Sequence, residues 1–560
     1  MMLAITMFLC LSTILSSAAV VNRASETATV ALPQATILGN VTDNVESFSG
    51  IPYAEPPVGP LRLRPPQRLN RSLGLFDGTG PAGACPQLIS SPERTNFLRT
   101  VRNSSFIPEQ SEDCLTITVT RPAGVQHDAK LPVIYWIYGG AFELGWSSMY
   151  DGTSLVNFGV SIGKPFLFVA INYRVGGFGF LAGKEILADG AANIGLLDQR
   201  MGLEWVADNI AFFGGDPDKV TIAGESAGSI SVLDQMALYG GDHTYKGKPL
   251  FRSGIMSSGS IVPAEPIDSD RAQAVYDKVV RAGGCAGEAD TLECLRGLDY
   301  AEFVNAVSAP PGFLSYEGAV ALSYLPRPDG HVLPDSPDVL VREGKYAAVP
   351  FIVGDQEDEG TLFSLFQPNL TSKEALVEYL HDLVFKSASD DQLSELVDTY
   401  NSGLAAIVEG SPFHTGLLND IFPGFKQRAA LLGDVLFTLS RRVFLELANE
   451  ANPDVPSWSY LATYDYGTPV MGTFHGSDLL QVFFGIFDNY AAKTTRTYLT
   501  NFVYSLDPNG DQANALPAWP QWAKGRELIN FGKDKAKTLA DDFRSDSFEV
   551  IKRLGGVLRM

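Results

Sequence analysis

The sequence predicts an α/β fold built on a mainly parallel central sheet with helices on both faces. Three observations lead there. Apolar runs of strand length recur at residues 131–138, 166–173, 220–223, 253–257, 351–354 and 458–462. Segments of helical period lie between them, among them 194–211 and 229–238, and strands that alternate with helices imply parallel pairing through crossovers. The third run passes through Gly224-Glu225-Ser226-Ala227-Gly228 directly into a helical segment, a strand–turn–helix junction. The length of 560 residues would permit several domains, but large α/β folds often run as one, and no linker, repeat or low-complexity tract divides the chain. We therefore expect a single domain over residues 20–560, with long insertions near 262–323 and 371–444.

Charge narrows the possible partners. Asp and Glu outnumber Lys and Arg by 64 to 42, giving a net charge of −22 that argues against nucleic acid or an anionic membrane surface. No internal apolar run approaches the length of a membrane span, so no transmembrane segment is expected.

In chain order, residues 1–19 form an uncharged apolar segment ending in Ser16-Ser17-Ala18-Ala19, which reads as a secretory signal peptide and an extracellular location. Cys10 would leave with it. Cys85, Cys114, Cys285 and Cys294 remain; three connectivities are open, and closure of short loops favours Cys85–Cys114 and Cys285–Cys294. Sequons at Asn40, Asn70, Asn103 and Asn369 fit glycosylation in the same compartment. Residues 37–53 alternate loosely and suggest a small N-terminal sheet, and 52–66 is a Pro-rich surface passage. Between Cys85 and Cys114 lies a 28-residue loop without an evident core, a length usually found in functional or mobile loops.

The Gly-x-Ser-x-Gly turn nominates Ser226 as a nucleophile. Gly224 and Gly228 leave room for a very tight turn, and the helix N-terminus favours the negative charge that develops when a carbonyl is attacked. A serine hydroxyl needs a base, and in this strand–turn–helix arrangement the order is Ser, then acid, then His. His243, His331, His381, His414 and His475 follow Ser226. His475, in a loop shortly after the last apolar run, is favoured over His381 in a helical pattern and His243 in a polar loop. An imidazole acting as base would titrate in its ordinary range of roughly 6 to 7. The acid should follow the run at 351–354, where Asp355, Glu357, Asp358 and Glu359 crowd one turn; most should be solvated surface charge, and spacing does not say which one orients the base. Oxyanion donors are expected from the Ala227 amide and from the loop Tyr138-Gly139-Gly140-Ala141-Phe142.

These motifs, with Ser111-Glu112-Asp113-Cys114-Leu115 and Phe213-Gly214-Gly215-Asp216-Pro217, resemble the type-B carboxylesterase/lipase family over most of the mature chain. Residues 323–330, 354–361 and 472–475 are most similar to secreted fungal lipases of the Candida rugosa and Geotrichum type. The resemblance implies an α/β-hydrolase fold with long insertions and a lid loop. It implies a triad of Ser226, His475 and Glu359, oxyanion donors at Gly140, Ala141 and Ala227, and no metal or organic cofactor. It implies an acyl tunnel lined by Phe142, Phe313, Leu325, Phe363 and Phe366, a salt bridge from Arg62 to Glu112, and a lid over 86–113. Family members commonly carry a third Gly where Ala141 stands. The lid is shorter than in Candida-type lipases and contains no Trp, the residue with which cholinesterases hold a quaternary ammonium. The implied activity is hydrolysis of triacylglycerols or sterol esters, with contact between the lid and a lipid interface. Hydrolysis of soluble short-chain esters is the rival reading, and a non-catalytic hydrolase-fold binding protein the remote one.

Overall fold

A computed structural model describes residues 27–88, 108–464, 468–484, 489–510 and 516–560. The expected signal peptide, Asn103 and most of the expected lid lie outside the described residues.

Thirteen strands form one sheet. They are β1 (Thr27–Leu32), β2 (Ala35–Thr42), β3 (Val45–Pro52), β4 (Gly74–Gly78), β5 (Thr116–Pro122), β6 (Leu131–Ile137), β7 (Leu167–Ile171), β8 (Gly215–Glu225), β9 (Ser253–Ser257), β10 (Phe351–Gln356), β11 (Ser457–Thr463), β12 (Glu527–Gly532) and β13 (Ala536–Ala540). Their order is β1-β2-β3-β5-β7-β6-β8-β9-β10-β11-β12-β13, with β4 beside β2. From β7 to β12 every neighbouring pair is parallel, and antiparallel strands close both flanks. Each apolar run in the sequence is one of the central strands. β7, Leu-Phe-Val-Ala-Ile, is buried along its whole length, as a parallel strand covered on both faces must be.

The N-terminal strands differ from expectation. They form no separate sheet: β3 pairs antiparallel with β5, which pairs with β7, so the hairpins extend the central sheet and cover what would be its unpaired edge. Both insertions are helical. Residues 262–323 supply helices Asp270–Ala282, Thr291–Gly297 and Tyr300–Val307; the second insertion includes Gly403–Glu409 and Phe425–Gly433. The two disulfides join Cys85 to Cys114 and Cys285 to Cys294, as loop closure favours.

Register aligns the C-terminal ends of the parallel strands. Glu225 pairs with Ser257, Ser257 with Gly354, and Gly354 with Tyr460, so the loops leaving β6, β8, β10 and β11 emerge along one edge. Crevices beyond the carboxyl ends of parallel strands are where α/β sheets bind ligands.

A buried ionic network braces this edge. Arg441 contacts Asp355 at 3.0 Å, donates to Ser459 Oγ at 2.6 Å, and forks onto Asp541 at 2.7 and 2.8 Å. Arg442 and the Trp522 indole also donate to Asp541. Burial alone would raise the Asp541 carboxyl; the two guanidiniums outweigh it and hold the group well below the usual carboxylate range. A depressed carboxylate stabilises the fold above its unfolded pKa, near 4, and loses that contribution as pH falls towards its folded value. We predict that Asp541→Asn, which removes the anion shared by two buried guanidiniums, destabilises the protein by about 3–5 kcal/mol at neutral pH. Denaturant unfolding at pH 7 and pH 3 checks this, and the difference between variant and parent should be smaller at pH 3.

Candidate active site

β8 turns into helix α1 (Ala227–Ala237) at Ser226, which stands at φ 58° and ψ −127°. A non-glycine residue in this region costs on the order of 1–3 kcal/mol and persists only where its surroundings enforce it. Here they do. A Cβ on Gly228 would lie 2.0 Å from the Ile137 carbonyl oxygen, and one on Gly224 would lie 2.4 Å from the Gly228 backbone. The Ser226 amide donates to the Ser257 carbonyl at 2.9 Å. Strand, turn and helix are thus pressed backbone to backbone, and the serine side chain is left at the strand-end edge.

The side chains nominated from sequence meet there. Ser226 Oγ lies 2.8 Å from His475 Nε2, and His475 Nδ1 lies 2.5 Å from Glu359 Oε2. The other Glu359 oxygen accepts the Gln356 amide at 2.7 Å. Hydrogen bonds stitch the acid turn to the base loop: Asp358 N donates to Thr473 O at 2.9 Å, Thr473 N to Asp358 Oδ2 at 2.8 Å, and Thr361 Oγ1 to Met471 O at 2.9 Å. Neither loop can shift alone.

The acidic turn corrects one expectation. Asp355, Asp358 and Glu359 are all at most 1% exposed, and Glu357 is nearly covered beside His414, so the turn is no solvated surface charge. Each carboxylate has a structural partner set: Arg441 for Asp355, the 411–413 loop and Thr473 for Asp358, His475 for Glu359. Burial pushes Asp358 up to about 7, with Glu357 adding to the shift and donated hydrogen bonds opposing it.

Other residues of the site went unnoticed in the sequence. Glu225, buried beside the serine, has Oε1 at 3.6 Å from His475 Nε2, and burial raises it to about 8. Asp478 is also buried and pushed up to about 7. Glu225 sits between the fixed positions of the motif as a spacer, and nothing in a single sequence marks a spacer as inward-facing; Asp478 lies three residues beyond His475, in the short helix Ser477–Leu479, a signal that could have been followed. For the imidazole, burial favours the neutral form, but Glu359, by charge and hydrogen bond, then Glu225 and Asp478, outweigh it and raise His475 to about 9. The ordinary range of 6 to 7 expected from sequence is therefore displaced upward.

The glycine loop after β6 reaches the serine. A Cβ on Gly139 would lie 2.8 Å from Ser226 Cβ, and Gly140 adopts φ +118°. Ala141 and Phe142 follow at φ 56° and 57°, so alanine occupies the left-handed conformation that a third glycine would enter freely. Of the residues expected to line a tunnel, Phe313 and Phe363 stand in a chain of ring contacts with the base: Phe363 is 5.2 Å from His475 and 6.1 Å from Phe313. Phe437, from the second insertion and not singled out beforehand, lies 4.6 Å from the imidazole. Phe142 packs on Phe180 at 5.0 Å; Leu325 is buried, and Phe366 is half-buried just after Phe363.

The stem of the 86–113 loop is pinned beside this glycine loop. Leu88 N donates to Glu143 O, and the Gln87 side chain exchanges hydrogen bonds with Gly145. At its far end Glu112 takes a bidentate pair from Arg62 at 2.6 and 2.7 Å, as the resemblance implied. Asn70 and Asn369 are exposed, and Asn40 is half-buried in β2. Among the described residues no group of three or more His, Cys, Asp or Glu could hold a metal ion, and no helix is long and apolar enough to cross a membrane.

A serine backed in line by imidazole and carboxylate, at the carboxyl edge of a parallel sheet, makes the chain an α/β-hydrolase by class. Comparison then gives the family. A model described as the carboxylesterase family matches residues 26–548, and the chain belongs to that family of carboxylic ester hydrolases. It is 59% identical over 551 residues to a secreted triacylglycerol lipase of Gibberella zeae, covering 97% of this chain and 93% of that protein. It is 43% identical to lipase 2 of Diutina rugosa, covering 90% and 92% respectively. Among solved structures, Aspergillus niger EstA superposes with a TM-score of 0.81 at 27% identity, over 95% of this chain and 99% of that one.

The carboxylates around His475 set a pH profile. We predict that kcat/KM on a soluble ester falls as pH drops through a midpoint above 6.5, because protonated imidazole cannot accept the serine proton. Glu225→Gln, which removes one of the charges favouring imidazolium, should move that midpoint down. Equal midpoints in both proteins would refute the assignment.

Proposed function

We propose that the chain is a secreted triacylglycerol lipase that works through an acyl-enzyme on Ser226. The observation that carries this is the unbroken relay at the strand-end edge from Ser226 Oγ through the buried His475 to the buried Glu359. With neutral imidazole, Nδ1–H is held by Glu359 and the Nε2 lone pair faces the serine. Ser226 Oγ attacks the ester carbonyl carbon as its proton passes to Nε2, and the carbonyl oxygen takes up the negative charge against the amides of Gly140, Ala141 and Ala227. Collapse expels the alcohol, which takes the proton from Nε2. Water, deprotonated by the same nitrogen, attacks the acyl-serine and releases the fatty acid.

The lipid preference is supported by the named activity of the relatives and by the rings of Phe313, Phe363 and Phe437 beside the imidazole, an apolar wall suited to an acyl chain. The uncharged N-terminal segment and the secreted relatives support export, and the 26–548 match supports reading the mature chain as one catalytic unit. The short 86–113 loop, pinned to the oxyanion loop at its stem, carries the apolar residues Phe97, Leu98 and Val101 in its sequence, a composition suited to a lipid surface. Its shortness also favours a second reading, a carboxylesterase on soluble esters.

Two measurements test these proposals. Ser226→Ala should lower turnover by several orders of magnitude with an unchanged unfolding transition, and near-normal turnover would rule out the mechanism. The rate on a short-chain triglyceride should rise as its concentration crosses the solubility limit, with octanoyl and oleoyl esters preferred to acetyl. No change at the limit together with acetyl preference would leave the soluble-ester reading.

A further inference from the structure

Three large aliphatic side chains within five residues face solvent: Leu417 is 68% exposed, Leu418 71% and Ile421 43%. Such a group in a protein with ample core is unremarkable if it is loose. This one is held by buried polar groups. The Lys426 ammonium, on helix α2 (Phe425–Gly433), is 1% exposed and donates to Thr415 Oγ1 at 2.8 Å, the Gly416 carbonyl at 2.9 Å and the Leu418 carbonyl at 3.4 Å. Thr415 Oγ1 in turn donates to the Pro412 carbonyl at 2.6 Å, and the Leu418 amide to the Thr415 carbonyl at 3.0 Å. On the other side Asp358, the neighbour of Glu359, accepts from Ser411 Oγ and the Phe413 amide. A buried cation and a buried anion, both costly to desolvate, thus fix a turn whose tip presents leucines to water, and they tie that turn to the catalytic acid.

We propose that Leu417, Leu418 and Ile421 are a contact site for an uncharged lipid–water interface, separate from the 86–113 loop and orienting the strand-end edge towards the lipid. The proposal rests on the lipase reading and adds the surface that meets the substrate phase. Three side chains offer a few hundred Å² at most, well under the roughly 800 Å² per partner of a standard protein interface, so a second copy of this chain is a poor occupant. Charge points the same way. Residues 403–424 carry Glu409, His414 and Asp420 as their titratable groups, whereas the whole chain has a net charge of −22 and would be repelled by an anionic surface. A neutral oil surface takes the apolar tip without that repulsion, and binding to it scales with apolar area.

The test uses the full-length protein with Leu417, Leu418 and Ile421 all changed to Ser, and a control, Leu75→Ser, at a side chain 70% exposed on β4 in the N-terminal flank of the sheet. Flotation with triolein droplets coated in phosphatidylcholine measures adsorption, and p-nitrophenyl butyrate below its solubility limit measures the site itself. The triple variant should lose about tenfold or more in droplet partitioning while its soluble-ester kcat/KM stays within about twofold. The control should match the parent, and phosphatidylglycerol in the coat should weaken adsorption of the parent. Unchanged partitioning of the triple variant, an equal loss in the control, preference for anionic droplets, or a parental dimer that the triple variant abolishes would each overturn the proposal. If the parent cleaves the soluble ester but leaves droplets untouched, the lipase reading fails instead.

Discussion

The contact on which the site depends is between two stretches of backbone. Gly228 lies so close to the end of β6 that a methyl group there would sit 2.0 Å from a carbonyl oxygen. That approach forces the turn, the turn forces Ser226 to φ 58°, and that conformation lifts the hydroxyl clear of the sheet. Because β6 also leads into the glycine loop, the same contact fixes the distance between the nucleophile and the amides that face it. The strain is carried by one residue, and the extensive parallel pairing on both sides of β8 resists its release.

Around this junction the protein concentrates negative charge that it cannot solvate. Glu225, Glu359 and Asp478 are all buried around one imidazole. For Glu225 and Asp478, burial and the neighbouring carboxylates favour protonation, and the imidazole favours the opposite. The result is a cluster in which His475 is the cation that several anions compete for, while Asp355 is withdrawn from that competition by Arg441.

Much of this could be read from residue order. Apolar runs marked the six parallel strands β6 to β11, since strands covered on both faces are mostly apolar, but not the parallel strand β12. Ser226 followed from the junction of β8 with a helix, and His475 from its place after β11. The acid did not. Four carboxylates in one turn look like surface, and only the fold reveals that the turn is enclosed by helix α2, whose Ala429 and Gly433 backbone leaves Gly360 no room for a side chain. The resemblance named Glu359 where spacing left it open. Phe437 and Glu225 stayed hidden for a related reason: each owes its role to a neighbour distant in sequence. The antiparallel pairing of β3 with β5 was hidden too, because alternation shows that a segment is extended and not which strand it joins.

The hydrogen bond between Ser226 and His475 spans 249 residues of chain. On the ribosome, where about 5–20 residues are added per second, the base emerges some tens of seconds after the nucleophile. Until β11 has been made and has taken its place beside β10, the growing chain holds a serine with no proton acceptor. Topology alone therefore keeps the nascent polypeptide without its catalytic base until the last part of the chain is made.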